Sequence, residues 1–75
     1  MKIVEEARSH VIILTSDDNR RHAVVEETRR LSYTIYYSVR LWESNENGEK
    51  VGKGRTVATR ALLNKAMNLA KEFVK

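Results

Sequence analysis

The clearest pattern in the chain is a strict two-residue alternation of side chains between Ser32 and Trp42. One face of this stretch would carry Tyr33, Ile35, Tyr37, Val39 and Leu41. The other face would carry Thr34, Tyr36, Ser38, Arg40 and Trp42. A two-residue period with one largely apolar face predicts a half-covered β-strand. The stretch holds every aromatic residue of the chain except Phe73, so we expect it to form the middle of a sheet.

A hairpin turn is predicted shortly after this strand. Asn47-Gly48 is a strong two-residue turn signal, because both residue types tolerate positive φ angles. With these two residues at the turn, Glu46 would face Glu49. The same register would pair Trp42 with Lys53, Arg40 with Arg55, and Leu41 with Gly54.

This register also predicts what each face of the hairpin carries. Gly52 and Gly54 would lie on the apolar side, where missing side chains would let a following helix approach the sheet. The opposite, uncovered face would gather aromatic and basic side chains, namely Tyr36, Arg40, Trp42, Lys53 and Arg55.

Apolar residues recur every three or four positions between Thr56 and Val74, which predicts an amphipathic helix. Thr56 would cap its N-terminus, and Arg60 would lie on its polar side. The preceding Lys53-Gly54-Arg55-Thr56 fits a phosphate contact at a helix start, and it fits an ordinary strand-to-helix turn equally well. The core-facing stripe of the helix would consist of Leu62, Ala66, Leu69, Ala70 and Phe73.

The N-terminal half contains one clear strand and two segments with two interpretations each. Ser9 to Thr15 is β-branched and apolar, which predicts a strand, and the polar run Ser16 to Asn19 predicts a turn. Arg20 to Arg30 fits either a strand that folds back as a hairpin or a helix, and the turn before it favours the strand. Met1 to Ala7 fits the start of a strand or a short helix.

Together these elements predict an α+β fold, an antiparallel meander of three to four strands with one long C-terminal α-helix packed on one face. The 75 residues suffice for a single domain, residues 1–75. This length is near the lower limit for a core that is stable without disulfides or a metal site. The chain has no cysteine, so neither a disulfide nor a thiolate zinc site can stabilise it. The longest apolar run, Val11 to Leu14, is too short for a membrane span or a signal peptide. We therefore expect a cytoplasmic protein with no membrane contact.

The net charge of +4 is concentrated in the C-terminal part of the chain. Residues 1–30 carry six basic and six acidic side chains, whereas residues 50–75 carry seven basic side chains and one acid, Glu72. This asymmetry indicates an anionic partner for the C-terminal part. A solvated, soluble helix face has the same composition.

Cations beside aromatic rings on one uncovered face are typical of nucleic-acid platforms, because cations hold phosphates and flat rings stack on bases. The favoured prediction is therefore a small basic nucleic-acid-binding protein, for DNA or RNA. The alternative is a protein–protein interaction or regulatory module, in which the same face docks on an acidic protein or on a second copy as a homodimer. A third interpretation is structural cover, with a cation lying over Trp42. The candidate nucleic-acid-binding residues are Tyr36, Arg40, Trp42, Lys53, Arg55 and Arg60.

The C-terminal half also resembles two known families. The order strand, strand, Gly52-Lys53-Gly54 and then a basic helix with alanines is similar to the C-terminal half of double-stranded-RNA-binding domains. It is also similar to the three-strand-plus-helix domains with which tyrosine integrases bind their arm sites. The resemblance spans about residues 32–74. The integrase likeness implies that the open sheet face enters a groove, with Tyr36, Arg40, Trp42 and Lys53 at the nucleic acid.

Other kinds of site are not predicted. His10 and His22, the two imidazoles of the chain, lack the regular spacing of metal ligands. Adjacent glutamates such as Glu26 and Glu27 would point to opposite faces of a strand, so they form no carboxylate dyad. The serines lie in no nucleophile motif, and so short a chain has little room for a sheltered pocket. We therefore expect no enzymatic activity, no metal and no cofactor.

Overall fold

The computed structural model of the chain describes residues 1–6 and 10–75. The strands are β1 (Lys2–Glu6), β2 (Val11–Thr15), β3 (Arg21–Leu31), β4 (Thr34–Ser44) and β5 (Lys50–Ala61), and the helix is α1 (Leu63–Val74). The strands are antiparallel and lie in the sheet in chain order. The predicted α+β meander with a C-terminal helix is therefore confirmed, with five strands in place of the predicted three to four.

Both segments with open interpretations form strands. Arg20 to Arg30 lies largely in β3, which pairs with β2 as the favoured hairpin interpretation required. Met1 to Ala7 contains β1, which pairs with β2 along its whole length. The start of the predicted strand at Ser9 lies outside the described residues, as does Ala7.

The predicted turn between β2 and β3 is confirmed and is held by side chains. The buried Ser16 hydroxyl donates to Asp18 Oδ1 and accepts the Arg21 N–H at 3.0 Å. The Arg20 N–H also donates to Asp18 Oδ1, at 3.1 Å. The Ser16 hydroxyl and then the Arg20 N–H hold the pKa of Asp18 below its usual value, since both bonds favour the ionised carboxylate.

The alternating stretch forms β4 from Thr34 onward, but β4 is not the middle of the sheet. Because β1 adds a strand beyond β2, the central position belongs to β3, and β4 lies beside it. Ser32, with a positive φ of 53°, and the fully exposed Tyr33 form the turn between β3 and β4 instead of belonging to the strand.

The core lies between one face of the sheet and α1. The predicted helix stripe is confirmed at Ala66 and Ala70, which are buried, and at Leu69 and Phe73, which pack against the core. Leu62 is exposed and precedes the helix. The buried apolar residues are Leu14, Ala23, Val25, Val39, Leu41, Ala61, Ala66, Ala70 and Val74.

The helix begins at Leu63, so the predicted start at Thr56 is wrong. Residues 56–61 continue β5 and pair with β4. The β-branched Thr56, Val57 and Thr59 favour extended backbone, and sheet pairing outweighs the helical period there. Leu62 occupies the N-cap position without a capping side-chain bond, so Thr56 is not the cap.

The turn between β4 and β5 also differs from the prediction. The Asn45 N–H donates to the Glu49 carbonyl at 2.8 Å, and these two residues enclose Glu46, Asn47 and Gly48. The Asn45 side-chain oxygen accepts the N–H groups of Asn47 and Glu49, and Gly48 has a φ of 81°. This is a three-residue turn that ends in a glycine with left-handed backbone. The predicted pairing of Glu46 with Glu49 is therefore wrong.

Bulges in β5 shift the register beyond this turn. Trp42 lies opposite the three-residue bulge Gly52-Lys53-Gly54, because β5 gains two residues on β4 between Glu43 and Leu41. The predicted pairs of Arg40 with Arg55 and of Leu41 with Gly54 are therefore wrong, and Trp42, predicted to pair with Lys53, faces the bulge that contains Lys53. The observed pairs near the bulge are Ser44–Lys50, Glu43–Val51, Leu41–Arg55 and Arg40–Thr56.

Candidate functional site

No described helix or strand covers the face of the sheet opposite α1. The helix packs mainly on β3 and β4, on the side that carries Ala23, Val25 and Val39. Directly paired residues of antiparallel strands point to the same face, so the register identifies the other side. We call this other side the open face; on β2, β3 and β4 it includes Val11, Ile13, Thr15, His22, Val24, Glu26, Tyr36, Ser38, Arg40 and Trp42.

Part of the open face is concave. The Thr28 hydroxyl lies 3.3 Å from the Thr59 carbonyl oxygen, two strands away, so β3 and β5 approach each other across β4. A hollow of about 550 Å³ lies on this side of the sheet. It is lined by Val24, Glu26, Ser38, Arg40, Trp42, Lys50 and Thr56.

Trp42 is held in place by a chain of cross-strand contacts. Its ring stacks on His22, with centroids 5.2 Å apart and an angle of 17° between the planes. His22 Nε2 lies 2.7 Å from the Ser44 hydroxyl, and His22 Nδ1 lies 3.4 Å from the Thr15 hydroxyl. The indole is half-buried and lines the hollow. The stack on His22 leaves part of the indole surface at the wall of the hollow.

Arg40 lies in the middle of the open face. It pairs with Val24 on one side and with Thr56 on the other, and it is exposed. The ion pairs between described residues do not include Arg40. Lys50 lines the same hollow from β5, and the ion pairs between described residues do not include it either.

Tyr36 lies on the open face but outside the hollow. It pairs with Arg29, next to a bulge at Thr28. The 12-residue helix is about 18 Å long, whereas the molecule measures 43 Å along its longest axis, so α1 covers only part of the sheet. Tyr36 and Arg29 lie close to the turn between β3 and β4, which carries the fully exposed Tyr33.

Lys53 is exposed within the β5 bulge, opposite Trp42. Gly52 and Gly54 flank it with positive φ angles of 72° and 74°. A Cβ atom on Gly54 would lie 2.7 Å from the Leu41 carbonyl oxygen. The missing side chain of Gly54 therefore allows the backbone of β4 to approach β5 closely. The prediction that Gly52 and Gly54 make room for the helix is therefore wrong.

Arg55 lies on the helix side of the sheet, so its predicted position on the open face is wrong. It pairs with Leu41, a core residue, and its guanidinium carbon lies 5.9 Å from the centroid of the Phe73 ring. The cation–π contact found among the described residues is therefore on Phe73 and not on Trp42. Trp42 stacks on the His22 imidazole instead. The bulge turns Arg55 over, because extra residues in one strand change which side each following residue occupies.

Arg60 lies in β5 and not in the helix. It is exposed between Ala58 and Ala61, which pair with Val39 and Tyr37 of β4. The structure therefore brings Tyr36, Arg40 and Trp42 onto one face, places Lys53 and Arg60 along the outer strand, and moves Arg55 to the other side.

Several residues of the site were not predicted. His22, Val24 and Glu26 come from β3, and Lys50 and Thr56 come from β5. His22 to Glu26 follow from the hairpin interpretation, since alternate residues of β3 face the same side as Trp42 and Arg40. Lys50 and Thr56 carry no local signal, because their positions depend on bulges in the partner strand.

The residues that the structure describes contain no group of three or more potential metal ligands. The two histidines have separate partners: His10 Nδ1 lies 3.4 Å from Glu27 Oε2, whereas His22 stacks on Trp42. The described part of the chain contains no helix that is long and apolar enough to cross a membrane.

Comparisons of the chain with protein-family models, curated proteins and solved structures found no match. The likeness to double-stranded-RNA-binding and integrase arm-site domains therefore stays a prediction.

Proposed function

We propose that this protein binds nucleic acid through the open face, holding phosphates with cations and contacting bases with aromatic rings. One observation carries the proposal: Tyr36, Arg40 and Trp42 lie on the same side of β4, and α1 packs on the other side. A flat ring beside a guanidinium group on an uncovered sheet is the arrangement that single strands and exposed bases require.

The charges around the hollow indicate on which side the phosphates of the nucleic acid would lie. Arg40 and Lys50 lie on the β4–β5 side, whereas Glu26 lies on the β3 side. A phosphate is repelled by Glu26 and attracted by the two cations, so the backbone would follow β4 and β5. The bases would then point toward Val24 and Trp42. Lys53 and Arg60 extend the basic path along the outer strand, and Arg55 is left out because it lies over Phe73.

Trp42 is the one tryptophan of the chain, so its fluorescence reports directly on the proposed face. We expect its emission to change on titration with single-stranded DNA, duplex DNA or duplex RNA. The affinity should fall log-linearly as salt rises, because phosphate contacts release counterions. An unchanged emission with all three nucleic acids would refute the proposal.

The Arg40→Gln variant tests which charge matters. We expect it to weaken binding about fivefold to tenfold and to reduce the salt slope by about one. Lys65→Gln is the matched control, because it removes one positive charge from an exposed position on the helix. Equal losses in the two variants would mean that the overall charge, and not the open face, attracts the nucleic acid.

A second candidate function is a protein interface on the same face. Its specific support is an apolar row of Val4, Ile13 and Val24, which are paired across β1, β2 and β3, with Val4 42% exposed. A contact through this row would respond weakly to salt. The salt dependence in the titration therefore distinguishes the two functions.

A further inference from the structure

Among the described elements, none packs on either face of strand β1 or along its outer edge. It is the first strand of the sheet, and β2 is the only described strand that pairs with it. The described residues of β1 and α1 are not in contact. Ile3 on the helix side is 47% exposed, and Val4 on the open side is 42% exposed. An edge strand with apolar side chains on both faces offers a template for another strand.

The two edges of the sheet differ in a way that matters for association. The outer strand β5 is interrupted by bulges around Gly52 and Gly54, and bulges of this kind block edge-to-edge pairing. Strand β1 pairs with β2 in an unbroken register, from Lys2 with Thr15 to Glu6 with Val11. The edge of β1 that faces away from β2 is therefore regular over all five residues.

We propose that β1 pairs with β1 of a second copy, antiparallel and centred on Val4. In this register Val4 faces Val4 of the second copy, and Ile3 faces Glu5 of the second copy. Lys2 faces Glu6 of the second copy, and the two-fold axis produces this opposite-charge pair twice. Opposite charges directly across two strands stabilise the pairing.

Symmetry and charge select this register over its neighbours. A two-fold axis between antiparallel edge strands is perpendicular to the sheet, so facing residues must point to the same side. Centring on Ile3 would set Lys2 against Val4 and lose both charge pairs. Centring on Glu5 would set two glutamates against each other, which is destabilising. The Val4-centred register alone pairs every residue of β1.

The geometry of such a dimer follows from the axis. The two sheets would join into one sheet of ten strands, with both open faces on the same side. The interface is short, which predicts a weak dimer whose population rises with concentration. The dimer itself does not depend on nucleic-acid binding, which the Arg40→Gln titration tests separately.

Disulfide trapping reads the register directly, because the chain has no cysteine. Single variants Ile3→Cys, Val4→Cys and Glu5→Cys would be oxidised mildly at several protein concentrations. Facing residues of antiparallel strands have Cα atoms about 4.5–5.5 Å apart, within the range of a disulfide. We expect Val4→Cys to form a covalent dimer at least about tenfold faster than the other two. Equal rates at all three positions, or the fastest rate at Ile3 or Glu5, would overturn the proposed register.

A charge swap tests the same pairing without a covalent bond. Lys2→Glu and Glu6→Lys should each weaken the dimer about tenfold in sedimentation equilibrium, and the double variant should recover most of this loss. Lys65→Glu on the helix is the control and should have no effect. Monomers at every concentration of the natural chain, or a double variant no better than the single ones, would refute the proposal. Trp42 emission checks that each variant is folded.

Discussion

At Gly54 the backbone of β5 lies against β4, in a conformation that other residues rarely adopt. Its φ is 74°, and an added Cβ would lie 2.7 Å from the Leu41 carbonyl oxygen and 3.2 Å from Trp42 Cβ. Gly52 has nearly the same φ, 72°, but an added Cβ there would meet nothing within 4 Å. The two glycines therefore separate the cost of the backbone conformation from the cost of the contact.

We predict that Gly52→Ala lowers the free energy of unfolding by about 1–2 kcal/mol, the cost of a left-handed conformation for an L residue. Gly54→Ala should add a further 1–3 kcal/mol or so, because the backbone of β4 must move. Urea unfolding followed by Trp42 emission measures both values. Equal decreases in the free energy of unfolding in the two variants would show that the contact of Gly54 with β4 does not contribute to stability.

The residues of the open face differ in how far the sequence predicts them. Tyr36, Arg40 and Trp42 follow from the alternation within one strand, which requires no knowledge of the partner strand. Lys53 and Arg55 depend on the register across a turn and a bulge. That register is set by the three-residue turn after Asn45 and by the glycines of β5, so local pattern alone did not determine it.

Helix α1 approaches the sheet closely through alanines. Ala66 and Ala70 are fully buried and lie among core residues of β3 and β4. We predict that Ala70→Leu lowers the free energy of unfolding by about 1–3 kcal/mol, since extra methylene groups have no space there. Asn68→Leu introduces the same side chain at an exposed position of the helix and should change stability by less than about 0.5 kcal/mol. Thermal unfolding of both variants tests the difference, and a stabilising Ala70→Leu would contradict a tightly packed contact.

The stripe of this helix was predictable and its start was not. Ala66, Leu69, Ala70 and Phe73 repeat at helical spacing, and burial against the sheet requires that spacing. Residues 56–61 also allow a helical spacing, but they contain β-branched side chains and pair with β4. The tertiary pairing decides between two local preferences of similar strength.

At the scale of the whole molecule, the class of fold follows from the two periods in the sequence, but the number of strands does not. Strand β1 is only five residues long and is exposed throughout, so it lacks the contrast between a buried and a solvated face. Its pairing with β2 places it in the sheet without burying it. An exposed edge strand of this kind is the feature from which the proposed dimer follows.

The proposed dimer and the proposed nucleic-acid face make a joint prediction. In the ten-stranded sheet of the dimer, both open faces lie on the same side. One long nucleic-acid strand could therefore contact both copies of the protein. Such a strand should bind about 10–100-fold more tightly than two separate short ones, because the second contact is intramolecular. An oligonucleotide of about 8 nucleotides would contact one open face, and one of about 30 nucleotides would contact two. The ratio of their affinities measures the effect.

Glu6→Lys provides the decisive variant, because it removes the proposed dimer pairing while adding positive charge. By charge alone it would bind every oligonucleotide more tightly. We therefore expect it to bind the short strand at least as well as the natural chain does, and to lose most of the advantage of the long strand. Fluorescence titrations of both proteins with both lengths measure the effect. If Glu6→Lys keeps the full length advantage, a long strand does not need the β1 pairing to reach two copies.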